Sequence, residues 1–163
     1  MAISLKAQFY KDLEFGQRAE AIVFSYFSAI DDKHTYELVS LKPAYYNMGD
    51  IRAIDKETGE EIFIEVKNDS WIHQTRNVVC EEEVYFKKHG HINEGNMYHN
   101  NDIYVVVSQE EKKIYVIDMR VLKKIYRNGR YKHFDYPHQW SDCYLVNLDT
   151  IEKSGGLITI LEY

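Results

Sequence analysis

Asp50, Glu65 and Lys67 stand in the segment "GDIRAIDKETGEEIFIEVKND", residues 49–69, which is otherwise patterned as an apolar hairpin. The turn residues Glu57, Thr58 and Gly59 divide it into two strands. Side chains alternate along a strand, so Ile62, Ile64 and Val66 share one face, while Glu61, Phe63, Glu65 and Lys67 share the other. On the preceding strand Asp50, Arg52 and Ile54 form one face and Ile51 and Ala53 the other. With the turn centred within 57–59, Asp50 lies opposite or diagonal to Glu65 and Lys67, within about 8 Å across the ladder.

Two carboxylates forced together repel unless a cation sits between them. Magnesium suits such a pair, because it takes hard oxygen ligands and keeps several waters. An ion of that kind acidifies water, and Lys67 would position the nucleophile or stabilise charge developing on a phosphorane. Acid, acid and lysine around a divalent ion is a workable phosphodiesterase site. The plainer alternative is an aspartate that opens a strand after a glycine turn, with exposed edge charges behind it. Any lone Glu-x-Lys favours that alternative. Here an upstream Gly-Asp on a paired strand, a hairpin turn and apolar flanks coincide, and together they favour a site.

The elements that must position these residues are legible around them. Residues 9–30 carry Phe9, Leu13, Ala19, Val23, Phe24 and Phe27 near helical spacing, with Gly16 weakening the middle. "YELVSL" (36–41) reads as a strand, followed by a loop containing Pro43. "NVVCEEEVYF" (77–86) reads as a further strand and residues 87–101 as a polar loop. "DIYVVVS" (102–108) has the length and composition of a buried strand and pairs with "KKIYVIDM" (112–119) across Gln109, Glu110 and Glu111. A short helix, "RVLKKIYRNG", then ends at Gly129. Late strands are expected at "YLVNL" and "LITIL". The pattern predicts an α/β fold, a central mixed β-sheet flanked by α-helices, in one domain over 1–163.

Composition bounds the function. With 163 residues, 45% of them apolar, the chain can bury a proper core. No apolar run reaches about 18 residues, so neither a membrane span nor a membrane partner is expected. The first residues lack the basic-then-apolar order of a secretory signal. Cys80 and Cys143 are too few for a disulfide framework and have no close partner for a zinc site. A cytoplasmic protein is expected. The net charge of -6 argues against a non-specific nucleic-acid coat, but leaves room for a local basic groove beside an acidic site.

At these residues the sequence resembles the PD-(D/E)XK nuclease superfamily, of restriction-endonuclease-like and Holliday-junction-resolvase-like fold, and its small phage-type members in particular. In that pattern an acidic residue opens one strand and acid-x-Lys follows on the next, as Asp50 and Glu65-Val66-Lys67 do. "FGQRAEAIVF" is similar to the first-helix phrase of many members and places Glu20 in its role, and "RNVVCEEE" is similar to the following strand of phage-type members. The likeness covers residues 13 to about 118. The core would run over about 9–128, with 130–163 as a C-terminal extension that matches no family feature. The sequence departs from the motif at Gly49, where the motif has proline.

The resemblance implies a Mg2+-dependent nuclease, with Mn2+ as a substitute. Glu20, Asp50, Glu65 and the carbonyl of Val66 would be its metal ligands, and Lys67 its catalytic lysine. It implies DNA as the partner, with RNA left open, and a homodimer as a hypothesis, because cutting both strands needs two sites. The alternative is a catalytically silent member of the same fold that binds nucleic acid or a protein.

Further residues are weaker candidates for substrate contact. Gln17 lies one turn before Glu20, so the two can share a helix face. His73 and Gln74 follow Lys67, and Asn77 and Glu81 lie on the next strand. Each is equally an ordinary polar residue. His89, His91 and His99 have no zinc-like spacing and read as solvated loop histidines. Lys87, Lys88, Lys123, Lys124, Arg127, Arg130 and Lys132 form basic clusters near aromatic residues, as a nucleic-acid groove could use. Such clusters are usually solvated faces.

Overall fold

The protein is described by a computed structural model over residues 5–86, 91–129, 132–135 and 141–163, with side chains described over 13–82, 93–129 and 142–163. His89, Lys87, Lys88 and Arg130 lie outside the described residues. So do the side chains of His91 and Lys132.

A long helix α1 (Leu5–Ile30) runs unbroken through Gly16 and leads into strand β1 (His34–Leu38). The hairpin follows as β2 (Ile51–Asp55) and β3 (Glu61–Asn68). Then come a four-residue helix α2 (Ile72–Thr75), β4 (Asn77–Phe86), β5 (His91–Glu94), β6 (Ile103–Ser108) and β7 (Lys113–Asp118). Helix α3 (Met119–Asn128), β8 (Lys132–Asp135), β9 (Ser141–Asn147), α4 (Leu148–Lys153) and β10 (Leu157–Glu162) complete the chain.

Six strands form a mixed central sheet in the order β1-β2-β3-β6-β7-β10, in which β3 and β6 are parallel and the other neighbours antiparallel. The expected α/β architecture is therefore observed. One face is covered by α1, whose Ala19, Val23 and Phe27 pack with Ile51, Ala53, Ile64, Val66, Val105 and Val107. On the other face, α3, α4 and a second sheet pack against Tyr104, Val106, Tyr115 and Ile117. The two faces of β3 are the two predicted from its alternation.

The second sheet, ordered β5-β4-β9-β8, differs from the expectation of one sheet with helices around it. β4 leaves the central sheet and pairs with β9 instead, Val78 against Val146 and Glu81 against Cys143. The 87–101 stretch, read as loop, contains β5 and a single 3-10 turn at Asn96–Tyr98. The C-terminal stretch is built into both sheets, since β9 pairs with β4 and β10 forms the outer strand next to β7. Strand periodicity tells which face is apolar but not which strand is its neighbour. Cys80 and Cys143 are buried and unbonded to each other. Among the described residues no helix is long and apolar enough to cross a membrane.

Candidate active site

Register fixes the acid pair. Ile51 pairs with Ile64, which puts Asp50 opposite Glu65 at the point where β2 begins. The Asp50 backbone N–H donates to the Ile64 carbonyl at 2.8 Å, and Val66 N–H donates to Asp50 Oδ2 at 2.8 Å. Gly49 makes this approach possible. Its φ is +87°, and a Cβ there would lie 2.6 Å from the Ile64 carbonyl oxygen. Proline, with φ fixed near about -65°, could not take that turn, so the departure from the motif has a local cause.

Glu65 is only 6% exposed. Its Oε2 accepts from Asn101 Nδ2 at 3.2 Å, and its Oε1 lies 3.1 Å from Lys67 Nζ. The same amine lies 2.9 Å from Glu81 Oε2, a residue delivered by the second sheet. Glu81 is in turn held by Asn96, which is 1% exposed. Asn96 Oδ1 accepts from Glu81 N–H at 3.1 Å, and Asn96 Nδ2 donates to Glu81 Oε2 at 3.2 Å. The same Nδ2 lies 3.3 Å from the Tyr104 hydroxyl, which donates to the Val79 carbonyl at 2.6 Å. Gly95 lets this turn close on β4, because a Cβ there would lie 2.2 Å from the Glu81 carbonyl oxygen. A polar chain thus runs from Glu65 through Lys67, Glu81 and Asn96 to Tyr104, with apolar packing around it.

The electrostatics follow from burial and sign. Burial, and then the neighbouring Glu65 charge, push the Asp50 carboxyl well up, against the weaker opposing pull of Lys67 and the Val66 N–H. Burial alone would lower the Lys67 amine, but Glu81 and Glu65 more than reverse that and hold it well above its ordinary value. Lys67 is therefore a fixed cation at neutral pH. It can stabilise negative charge but cannot serve as a general base. Its side chain is 33% exposed, so it reaches both the carboxylates and solvent.

Glu20 stands slightly apart. Ser40 Oγ donates to its Oε2 at 2.7 Å, and burial followed by the Glu65 charge raises its carboxyl despite that bond. It shares the field of the site without touching Asp50 or Glu65 through any described hydrogen bond. Among the described residues no three His, Cys, Asp or Glu side chains converge tightly enough to hold a metal ion. A divalent ion would therefore rest on two carboxylates, Asp50 and Glu65, with the Val66 carbonyl as a third oxygen. The donor set fits a hard ion, which needs only one or two carboxylates and completes its shell with water. The buried pair itself calls for positive charge. Beside it, Asn101 Oδ1 is buried with no hydrogen-bond partner.

Of the weaker candidates, the structure brings only Glu81 into contact with the pair's lysine. Gln17 is exposed on α1. His73 and Gln74 are exposed on α2 and bonded to each other at 3.0 Å. Asn77 opens β4 opposite Asn147, its N–H donating to Thr75. No described contact ties these four to the acid pair. Asn96, Asn101 and Tyr104 were not singled out from sequence. The available signal was "NEGNMYHNND", a run rich in amides directly before the apolar run 103–107.

No family model matches the chain, and no curated protein matches it. Among solved structures, a nuclease from a fusselovirus aligns over 94% of this chain and 93% of its own, at 10% identity and a TM-score of 0.45. That likeness is too loose to carry an argument about fold or chemistry, and the functional reading rests on the site itself.

Proposed function

We propose that this protein is a metal-dependent nuclease that hydrolyses phosphodiester bonds, with DNA as its substrate. The observation that carries the reading is the pairing of two partly and fully buried carboxylates, Asp50 and Glu65, across one ladder, with Lys67 in reach of both solvent and Glu65. Asp50, Glu65 and the Val66 carbonyl would hold Mg2+ or Mn2+, and Glu20 would act from one step back. When bound, the ion supplies charge neutralisation at the scissile phosphate and acidity to water.

The chain's own residues do the rest. Val66 N–H fixes the rotamer of Asp50, and Asn101 fixes that of Glu65. Lys67, protonated throughout the neutral range, stabilises the extra negative charge of the pentavalent phosphorus state. Glu81, 2.9 Å from the amine, holds it as a second anchor beside Glu65. A homodimer would supply two such sites for the two strands of a duplex, and light scattering at micromolar concentration tests that arrangement.

The second reading is a silent nuclease fold that binds without cutting. It is favoured by the ion pair between Lys67 and Glu65, which already satisfies one carboxylate oxygen internally. An assay on circular single strands, plasmid duplex and a four-way junction, with Mg2+ and with chelator, separates the two. The nuclease reading expects Mg2+-dependent cleavage of at least one substrate that is lost in Lys67→Met. No cleavage of any of them by the wild type supports the silent reading.

A further inference from the structure

The acid pair opens onto a surface with a composition of its own. Asn101, bonded to Glu65, is the end of a short loop over 99–101. Asn100 N–H in that loop donates to the Asn47 carbonyl at 2.8 Å, so the loop runs alongside residues 46–47, just ahead of Gly49 and Asp50. At its other end the His99 carbonyl accepts from Lys123 Nζ of α3, and the His99 ring lies 6.3 Å from the ring of Tyr46. One residue separates His99 from Asn101, so this surface begins within about 10 Å of the acid pair.

We infer that Lys123, Arg127 and Tyr46 form the seat of the substrate strand, the two cations holding backbone phosphates of a single-stranded nucleic acid while the tyrosine stacks on a base. The inference rests on the nuclease reading and adds the substrate side of the same site.

Three observations support it. Lys123 and Arg127 are spaced i, i+4 on α3 and share one face, an arrangement that is unfavourable for like charges unless an anion lies over them. Among the described residues, neither has a carboxylate at ion-pair distance, whereas Lys42, Arg52 and Lys67 around the hairpin are each ion-paired. Asp102 and Glu65 act on Lys123 only from further away, and its amine is spent on a backbone carbonyl that a phosphate could replace.

The aromatic component is equally specific. Tyr46 is 59% exposed, and its hydroxyl is fixed by Asn93 Nδ2 at 2.5 Å. With one end bonded and the ring against His99, it presents a flat apolar face to solvent in a fixed place. A tyrosine so placed stacks on a base that is not already stacked in a duplex. Cations next to such a ring are the usual seat of a single strand.

The test is binding of a fluorescently labelled single-stranded DNA oligonucleotide and its duplex, by anisotropy, with Ca2+ in place of Mg2+ and across a salt series. The proteins are the wild type, Lys123→Met/Arg127→Met, Lys123→Arg, Tyr46→Ala, and Lys153→Met on α4 as a control, each checked for folding by its thermal melt. The double variant should bind on the order of tenfold more weakly or worse. Its slope of log affinity against log salt should be shallower by about 1.4, since each phosphate contact on a single strand contributes about 0.7. Lys123→Arg should keep the wild-type salt slope, and Lys153→Met should behave as wild type. Tyr46→Ala should lose affinity for the single strand at an unchanged slope and leave duplex binding alone.

A folded double variant with unchanged slope and affinity overturns the seat while leaving the nuclease reading standing. Tighter binding of duplex than of single strand, indifferent to Tyr46→Ala, overturns the single-strand assignment. Absence of wild-type binding to either nucleic acid overturns both the seat and the nuclease reading.

Discussion

Asp50 and Asp55 bracket the same five-residue strand, yet their surroundings push them in opposite directions. Asp55 ends β2 at the hairpin turn. Its Oδ1 accepts from the backbone N–H groups of Glu57 and Thr58, each at 2.9 Å, and its Oδ2 lies 3.0 Å from Lys33 Nζ. Those backbone bonds and the lysine hold its carboxyl well below the usual range. Asp50, at the other end, accepts one backbone N–H and faces a second buried carboxylate, and its carboxyl is pushed up. The first aspartate stabilises the turn. The second faces like charge, which disfavours its ionised form in the metal-free protein.

The sharpest way to break this contrast is to make the same substitution at both ends. Asp50→Asn should abolish metal-dependent cleavage, a loss of at least about 10²-fold, as for removal of one key electrostatic group. Without metal it should also stabilise the fold by about 1 kcal/mol of relieved repulsion, and so raise the melting temperature. Asp55→Asn should do the reverse, lowering the melting temperature with cleavage intact. Melting both variants in chelator decides it, and a destabilised Asp50→Asn would remove the distinction.

Removing the shared cation tests the same cluster from the other side. Lys67→Met leaves Glu65 and Glu81 without their common partner. Breaking a buried pair costs about 3–5 kcal/mol, and with the amine one-third exposed about 2 kcal/mol is expected. Added Mn2+ should restore part of that stability, because it replaces the lost positive charge beside Glu65. Chemical denaturation with and without Mn2+ reads both effects. A stability loss that Mn2+ leaves untouched would contradict the cation-demanding character of the pair.

The smallest effect is in pH. Asp50 has a raised carboxyl, so its penalty is fully present above its folded-state value and is relieved as pH falls through that value. Metal-free wild type should therefore gain slightly on mild acidification, and Asp50→Asn should not. Asp31 behaves oppositely. Burial raises it, but bonds from Tyr36, His34 and the Lys33 N–H prevail and bring it to about 2. It shares with Asp55 a stabilisation that is intact above about pH 4 and lost as pH falls towards 2. A metal-free stability difference between wild type and Asp50→Asn that does not shrink as pH falls would show that Asp50 carries no such penalty.

The hairpin was legible in sequence because alternation, a glycine turn and apolar flanks act locally. They placed Asp50, Glu65 and Lys67 on one face, and the register between Ile51 and Ile64 agrees. Helix α1 was legible from its spacing, and helix α3 from its amphipathic run, capped by Asp118, which accepts from Arg120 and Val121 N–H. What escaped was long-range choice. β4 has the composition of a central strand, and only its pairing with β9, more than fifty residues later, moves it to a second sheet and carries Glu81 to Lys67. Asn96 and Asn101 escaped for a related reason. An amide in a polar loop looks solvated until the loop folds inward, as Gly95 and Gly49 permit here.

The most direct test of the central claim is a calorimetric titration of Mg2+ and Mn2+ into the wild type and Glu65→Ala. The account predicts saturable binding to the wild type that disappears in the variant while its fold, followed by circular dichroism, persists. Absence of binding to the wild type, or binding that survives in Glu65→Ala, would contradict it and return Asp50, Glu65 and Lys67 to the status of a buried ion-pair network.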